Sequence, residues 1–119
     1  MNDIIVGIGE VLWDVFPEGK RIGGAPANFA YHMSQFGFDS RVVSAVGEDV
    51  LGDEVLKNFY GKGLRYWVER VPFPTGIVEV TLDGEGIPCY EIKEGVAWDN
   101  IPYTSALEEL AKKTRAVCF

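Results

Sequence analysis

"RIGGAPANFAYHMSQFGF", Arg21 to Phe38, decides how this chain is read. Two glycines and a proline stand ahead of Phe29, Ala30, Met33 and Phe36, apolar residues at helical spacing. Proline suits the first turn of a helix and glycine a left-handed stop, so a helix is expected from Pro26 to Gly37. A glycine pair before a helix has three readings. It can cradle a phosphate, it can simply start the helix, or it can bring backbone close to another ligand.

On the N-terminal side, "IIVGIG" (Ile4 to Gly9) is a short, nearly continuous apolar run, the pattern of a buried parallel strand. "EVLWDVF" continues it as a second extended piece, and "PEGKRIGG" reads as turn and loop from its Pro and Gly content. On the C-terminal side, "RVVSAVG" (Arg41 to Gly47) is a β-branched strand. "GEDVLGDEVLKNFYGKG" then gives a helix with Val55, Leu56 and Phe59 as its stripe and acidic residues at its N-terminal end. Strand, helix, strand, helix argues for an α/β fold with a parallel sheet.

The pattern then changes. "RYWVERVPFPTGIVEVTLDGEGIPCYEI" has no helical period, and "TGIVEVTL", "DGEG" and "IPCYEI" read as a β-hairpin standing apart from the main sheet. Beyond it, Thr104 or Ser105 caps a helix through Lys113, with Glu108 as capping-box partner. Ala116 to Phe119 begins another apolar strand. An apolar strand with nothing to cover it leads to the expectation that residues 1–119 are the N-terminal portion of a longer protein.

The totals set further bounds. The 119 residues carry a net charge of −7, which opposes binding to nucleic acid or to an anionic membrane surface. No run approaches the roughly 20 apolar residues of a spanning helix, and "MNDIIVGIG" lacks the basic region and apolar core of a secretory signal. Cys89 and Cys118 lie far apart without ligand spacing and read as reduced thiols, so a cytoplasmic location is expected and no metal site. "GIGEVLWD" lacks the third glycine of a dinucleotide loop, and "GKG" at Gly61 to Gly63 lacks the first glycine and the Ser or Thr of a P-loop. His32, the single histidine, sits inside the first helix as a packing or surface residue rather than a ligand or triad member.

Four residues offer polar chemistry. Asp14, near the end of the first strand region, is a turn-former or a carboxylate able to accept two hydroxyl hydrogen bonds. Gly23 and Gly24 make a plain tight turn or admit a ligand against the backbone. Asn28 makes a helix-start hydrogen bond, or its amide meets adjacent sugar hydroxyls as donor and acceptor.

Taken together they are more specific. Gly23-Gly24, Asn28, Ala30, Gly37, Gly47, Asp49 and Gly52 stand at the spacing of the first signature of the ribokinase-type (PfkB) carbohydrate kinases, which this chain resembles. "GEVLWD" resembles the family's first strand with its sugar-binding Asp, here Asp14. "PTGIVEVTLDGEGIPCYEI" resembles the β lid that folds over the sugar, which places lid strands at about residues 66–93. "GGAPANFAYH" and "GVAWDNI" look most like the fructokinase branch, while the ribokinase branch usually carries Lys and Gly where Ala25 and Pro26 stand.

The resemblance implies the N-terminal part of a doubly wound ribokinase-like sheet with a projecting β-hairpin lid. It implies a kinase that transfers phosphate from ATP, with Mg, to a sugar hydroxyl, most simply of fructose. Asp14, Gly23, Gly24 and Asn28 would hold the sugar, and Tyr90 would cover its apolar face. The catalytic Asp and the nucleotide-binding half would lie beyond Phe119, leaving these residues alone inactive and without a bound cofactor. A homodimer through the lid is also implied. Other readings are a ribokinase or nucleoside kinase of the same family, or a non-catalytic sugar-binding module.

Overall fold

A computed structural model describes residues 3–119. In chain order the elements are β1 (Ile4–Ile8), β2 (Leu12–Phe16), β3 (Gly19–Gly23), α1 (Ala25–Gln35), β4 (Asp39–Gly47), α2 (Val50–Gly61), β5 (Arg65–Val71), β6 (Gly76–Leu82), β7 (Pro88–Ile92), α3 (Ser105–Lys113) and β8 (Thr114–Cys118). A 3-10 turn at Ala97–Asn100 precedes α3.

The strands form two sheets. The main sheet runs β5-β4-β1-β8, and every pairing in it is parallel. Side chains alternate between its faces, as the strand period of two requires. Val42 and Val46 of β4 join Ala27, Ala30, Val55 and Phe59 in a core beneath α1 and α2. Val43 turns to the opposite face with Ile4, Val6 and Leu110, beneath α3. Helices therefore cover both faces, and the order reverses at β1, so the sheet is doubly wound as the family resemblance implies. Phe59 is 1% exposed and anchors the larger core. On the α3 face, an apolar groove of about 370 Å³ runs between Val6, Ile8, Val43 and Val117 of the sheet and Tyr103, Leu107 and Leu110.

The second sheet runs β3-β2-β6-β7. β2 pairs antiparallel with β3 and parallel with β6, and β6 pairs antiparallel with β7. This corrects the reading of two segments. Gly19–Gly23, expected as loop, is a strand, because it supplies β2 with an antiparallel partner while Ile22 packs against the core. Arg65–Val71, grouped with the lid at residues 66–93, belongs to the main sheet. A chain leaving α2 by a right-handed crossover returns beside β4, and β5 takes that place. The projecting part is thus four strands from two separate segments, and its later hairpin begins only at Gly76. The turn "DGEG" is as expected: the Asp83 carboxylate accepts the backbone N–H of Glu85 and of Ile87.

Thr104 caps α3 by accepting the N–H of Leu107 at 3.1 Å. That puts Leu107 at the third helical position and Glu108 one residue past the capping-box place.

Besides the packing of Trp13, Val15, Ile22 and Ile77 on the larger core and the Lys20–Glu54 ion pair, two hydrogen-bonded attachments hold the second sheet to the body. The indole N–H of Trp13 donates to the carbonyl of Leu51 in α2 at 3.1 Å. The other is a knot around Asp49, the N-cap of α2. Its carboxylate accepts the N–H of Gly52 at 2.8 Å, the N–H of Thr75 at 3.0 Å and the hydroxyl of Thr75 at 2.6 Å. The Thr75 oxygen in turn accepts the N–H of Gly47, the last residue of β4, at 2.9 Å. One carboxylate so joins the end of β4, the start of α2 and the residue that leads into β6. Burial pushes the Asp49 pKa up, but the hydrogen bonds from Thr75 and Gly52 and the charge of Arg70 outweigh it, and the net shift is downward.

Asp49→Ala removes the cap and leaves the buried Thr75 groups without their acceptor, a loss of about 2–3 kcal/mol in urea denaturation. A depressed carboxylate pKa gives stability that is complete above the unfolded value, about 3.9, and is lost as pH falls through the lower folded value. Asp49→Asn should therefore flatten the stability curve below pH ~4. An unchanged acid limb in that variant would show that the knot is not the sensitive group.

Candidate functional site

The helix start that opened the sequence reading sits where β3 meets α1, at the root of the second sheet. Gly24 is the N-cap of α1 with φ 118° and ψ 117°, and a Cβ there would run into the carbonyl of Glu10. Such a conformation is close to glycine-only. Its carbonyl accepts the N–H of Asn28 at 3.1 Å, the first helical hydrogen bond. No side chain caps this helix, and Pro26 has no N–H to satisfy. The N–H groups of Ala25 and Ala27 therefore face outward from the helix start without intrahelical partners.

Asp14 comes to the same place from β2. In the register Asp14 lies opposite Arg21 and Leu12 opposite Gly23. The Asp14 carboxylate leans toward Gly23, so that a Cβ on Gly23 would stand 2.7 Å from Oδ2. A side chain at position 23 would displace the carboxylate, which explains the first glycine of the pair without appeal to a turn. Asp14 is half-buried and accepts no hydrogen bond from the described residues. A half-buried carboxylate without a partner beside a bare helix start is poised to accept hydroxyl hydrogen bonds.

Asn28 lies on the exposed side of the first helical turn, one turn from Gly24. The helix-start alternative falls away, because the backbone of Gly24 occupies the N-cap and the Asn28 amide bonds to no described residue. Asp14, Gly23, Gly24 and Asn28 are thus gathered around one helix start. Tyr90 is not. It shares Asp14's face of the sheet, but it is registered with Val80 and stands two strands and one pleat away. Val78 and Ile92 occupy Asp14's own row. The Tyr90 ring is 67% exposed and borders a hollow with Phe16, Val80, Leu82 and Pro88. His32 is exposed and lies against the Tyr31 ring at 5.7 Å.

Sequence reasoning left two things unassigned. Thr75 carries the knot, and only its place before an alternating strand marks it. Trp98 closes over Gly76, where a Cβ would sit 2.6 Å from its indole, which explains the glycine at the head of β6. The second half of the signature, Gly47 to Gly52, is the same knot and touches no candidate ligand group.

The profile of the pfkB family carbohydrate kinases matches residues 9–102. The chain belongs to this family. It is 30% identical to a putative sugar kinase of Pyrococcus horikoshii over 98% of its length and 41% of that protein's. The structure of that kinase in complex with ATP superposes with a TM-score of 0.77 at 26% identity, over 96% of this chain and 41% of that one. An ATP-dependent 6-phosphofructokinase of Thermoanaerobacterium thermosaccharolyticum is 32% identical over 97% of this chain and 39% of its own. The fructokinase of Vibrio cholerae, 24% identical over 81% of this chain and 36% of its own, shares the fold with a TM-score of 0.74. The chain thus spans about 40% of the length of the curated relatives it matches.

Replacing Gly24 with Ala forces a Cβ against the carbonyl of Glu10 and a backbone that alanine rarely adopts. A loss of at least about 2 kcal/mol is expected on chemical denaturation. A variant as stable as the parent would show that the chain relaxes freely between β3 and α1.

Proposed function

We propose that these residues form the acceptor-sugar site of an ATP-dependent carbohydrate kinase, one that transfers a phosphoryl group to a hydroxyl of a fructose-type hexose in the cytoplasm. The observation that carries this reading is the Asp14 carboxylate, unpartnered and leaning toward Gly23 beside the bare start of α1. Asp14 accepts hydrogen bonds from two sugar hydroxyls and so fixes the ring. The N–H groups at the helix start and the Asn28 amide take further hydroxyl oxygens. Phosphoryl transfer depends mainly on such positioning. The relative named as a 6-phosphofructokinase supports a fructose-derived acceptor. The second sheet stands over the site and, as a lid, keeps water from competing with the sugar.

ATP supplies the phosphoryl group in this reading. The described residues do not fit it: they offer no triphosphate loop, and no three of their His, Cys, Asp or Glu side chains converge on a metal position. The proposal therefore assigns the nucleotide, its Mg and the base that deprotonates the attacking hydroxyl to sequence outside these residues.

The reading includes a homodimer through the lid. Leu82, Ile87, Tyr90 and Ile92 are exposed apolar side chains on or beside β6 and β7. A second copy of the same sheet is the occupant that would cover them, and it gives Tyr90 a place at that contact rather than over the sugar.

Calorimetric titration of the chain with fructose tests the site. Asp14→Ala should weaken binding at least about tenfold, the loss of two hydrogen bonds to a charged group. Its circular dichroism should stay unchanged, since the Asp14 carboxylate bonds to none of the described residues. Equal affinity in the variant would remove Asp14 from the site. In a coupled assay the chain alone should release no ADP in response to fructose, and turnover above the blank would overturn the division of labour proposed here.

A further inference from the structure

We propose that Arg21 reads an anionic group on the acceptor sugar, so that this site takes a phosphorylated or carboxylated sugar in preference to a neutral one. The inference rests on the reading of Asp14 as the sugar-binding carboxylate.

Arg21 and Asp14 are directly opposite in the β3–β2 pairing. Directly opposed residues of an antiparallel pair have Cβ atoms about 5 Å apart on the same face. The two nevertheless form no ion pair. The Asp14 carboxylate leans one way along the strand, toward Gly23. The Arg21 guanidinium lies the other way, over the Phe16 ring at 5.6 Å. Acid and base are splayed along one face; Val78 stands on the far side of Asp14 from Arg21, and Leu12 lies in the next row opposite Gly23. That arrangement offers a hydrogen-bond acceptor for hydroxyls and, one strand away, a cation.

The rest of the molecule sharpens this. Arg41 and Arg65 both pair with Asp39, at 3.2 and 3.4 Å, Arg70 pairs with Asp53, and Arg115 with Asp3 at 3.6 Å. Arg21 is the one arginine without a carboxylate partner among the described residues. It is also the one basic side chain on that face of the four strands. Its neighbour Lys20 turns to the other face and pairs with Glu54 at 2.8 Å. Lys93 is occupied by Glu79 and Glu91.

A guanidinium fork matches phosphate and carboxylate oxygens two at a time, whereas a neutral sugar offers it only hydroxyls. The ring of Phe16 holds the fork in place at small entropic cost. The exposed apolar residues assigned to a second copy lie on β6 and β7, across the sheet from β3.

The test titrates the chain with fructose, fructose 6-phosphate and gluconate, in the parent and in R21Q, R21K and D14N. The parent should bind at least one of the two anionic sugars about tenfold or more tightly than fructose, the scale of a charge-assisted hydrogen-bond pair. R21Q should erase that preference while keeping its affinity for fructose, R21K should restore part of it, and D14N should weaken all three sugars. A gain with fructose 6-phosphate alone identifies a phosphate as the group read, and a gain with gluconate alone identifies a carboxylate. Equal binding of fructose and both anions by the parent, or a preference that survives in R21Q, overturns the inference and leaves the sugar site standing. So does an R21Q variant whose sugar affinities are intact but whose self-association by sedimentation velocity is lost, because Arg21 then serves the contact between copies. Sugar binding that ignores D14N, or no sugar binding by the parent, removes the sugar site itself and the inference with it.

Discussion

The Asp49 carboxylate is the constraint on which the two-sheet arrangement depends. A parallel strand must end at its carboxyl edge, a helix must start nearby, and a second sheet must leave from the same edge without exposing buried backbone. Three N–H groups and one hydroxyl would go unsatisfied there. Asp49 and Thr75 satisfy all four between them, with Thr75 only 2% exposed. The arrangement also fixes where β6 begins. Because β6 pairs with β2, it fixes the height at which Asp14 stands above the body.

The candidate site follows from that placement. Doubly wound sheets bind ligands outside the carboxyl ends of their strands, near the point where the order reverses. Here the order reverses at β1, and the chain leaves β1 directly into β2. Returning through β3, it arrives at Gly23 and Gly24 with Asp14 already overhead. The sheet and the helix start are consecutive in sequence, so one short excursion delivers both the carboxylate and the bare amides. Trp13, adjacent to Asp14, turns to the opposite face and ties the excursion to α2.

The main sheet was largely legible in the sequence, because buried parallel strands are continuous apolar runs and the helices between them keep a clean period. "IIVGIG" and "RVVSAVG" say strand without help. The second sheet was legible only in its later hairpin. "KRIGG" is short and polar on one face, and what makes it a strand is its partner, which local sequence does not reveal. "RYWVERV" is ambiguous for the complementary reason: it is strand in either sheet, and only the crossover from α2 decides which. At the site, residue type alone leaves turn and helix-start readings open for Asp14, Gly23, Gly24 and Asn28, and it is the family resemblance that singles them out. The resemblance also implies Tyr90 over the sugar, but register counts pleats rather than sequence neighbours and puts Tyr90 outside Asp14's row. Arg21 and Thr75 gave no signal because what distinguishes them is relational: one lacks a partner, and the other is a partner.

The pairing of β1 with β8 has a consequence in time. Ile4 is registered with Thr114, and Gly7 with Cys118, so an interior strand of the main sheet finds one of its two neighbours only about 110 residues further along the sequence. Contacts between such distant residues require a long loop to close before they return any energy, and they slow folding. During synthesis β1 can pair with β4 early, while its other edge waits, open, until β8 has emerged. Over that interval an unpaired parallel edge bearing Ile4, Ile5 and Val6 is the stretch of this molecule most in need of a chaperone.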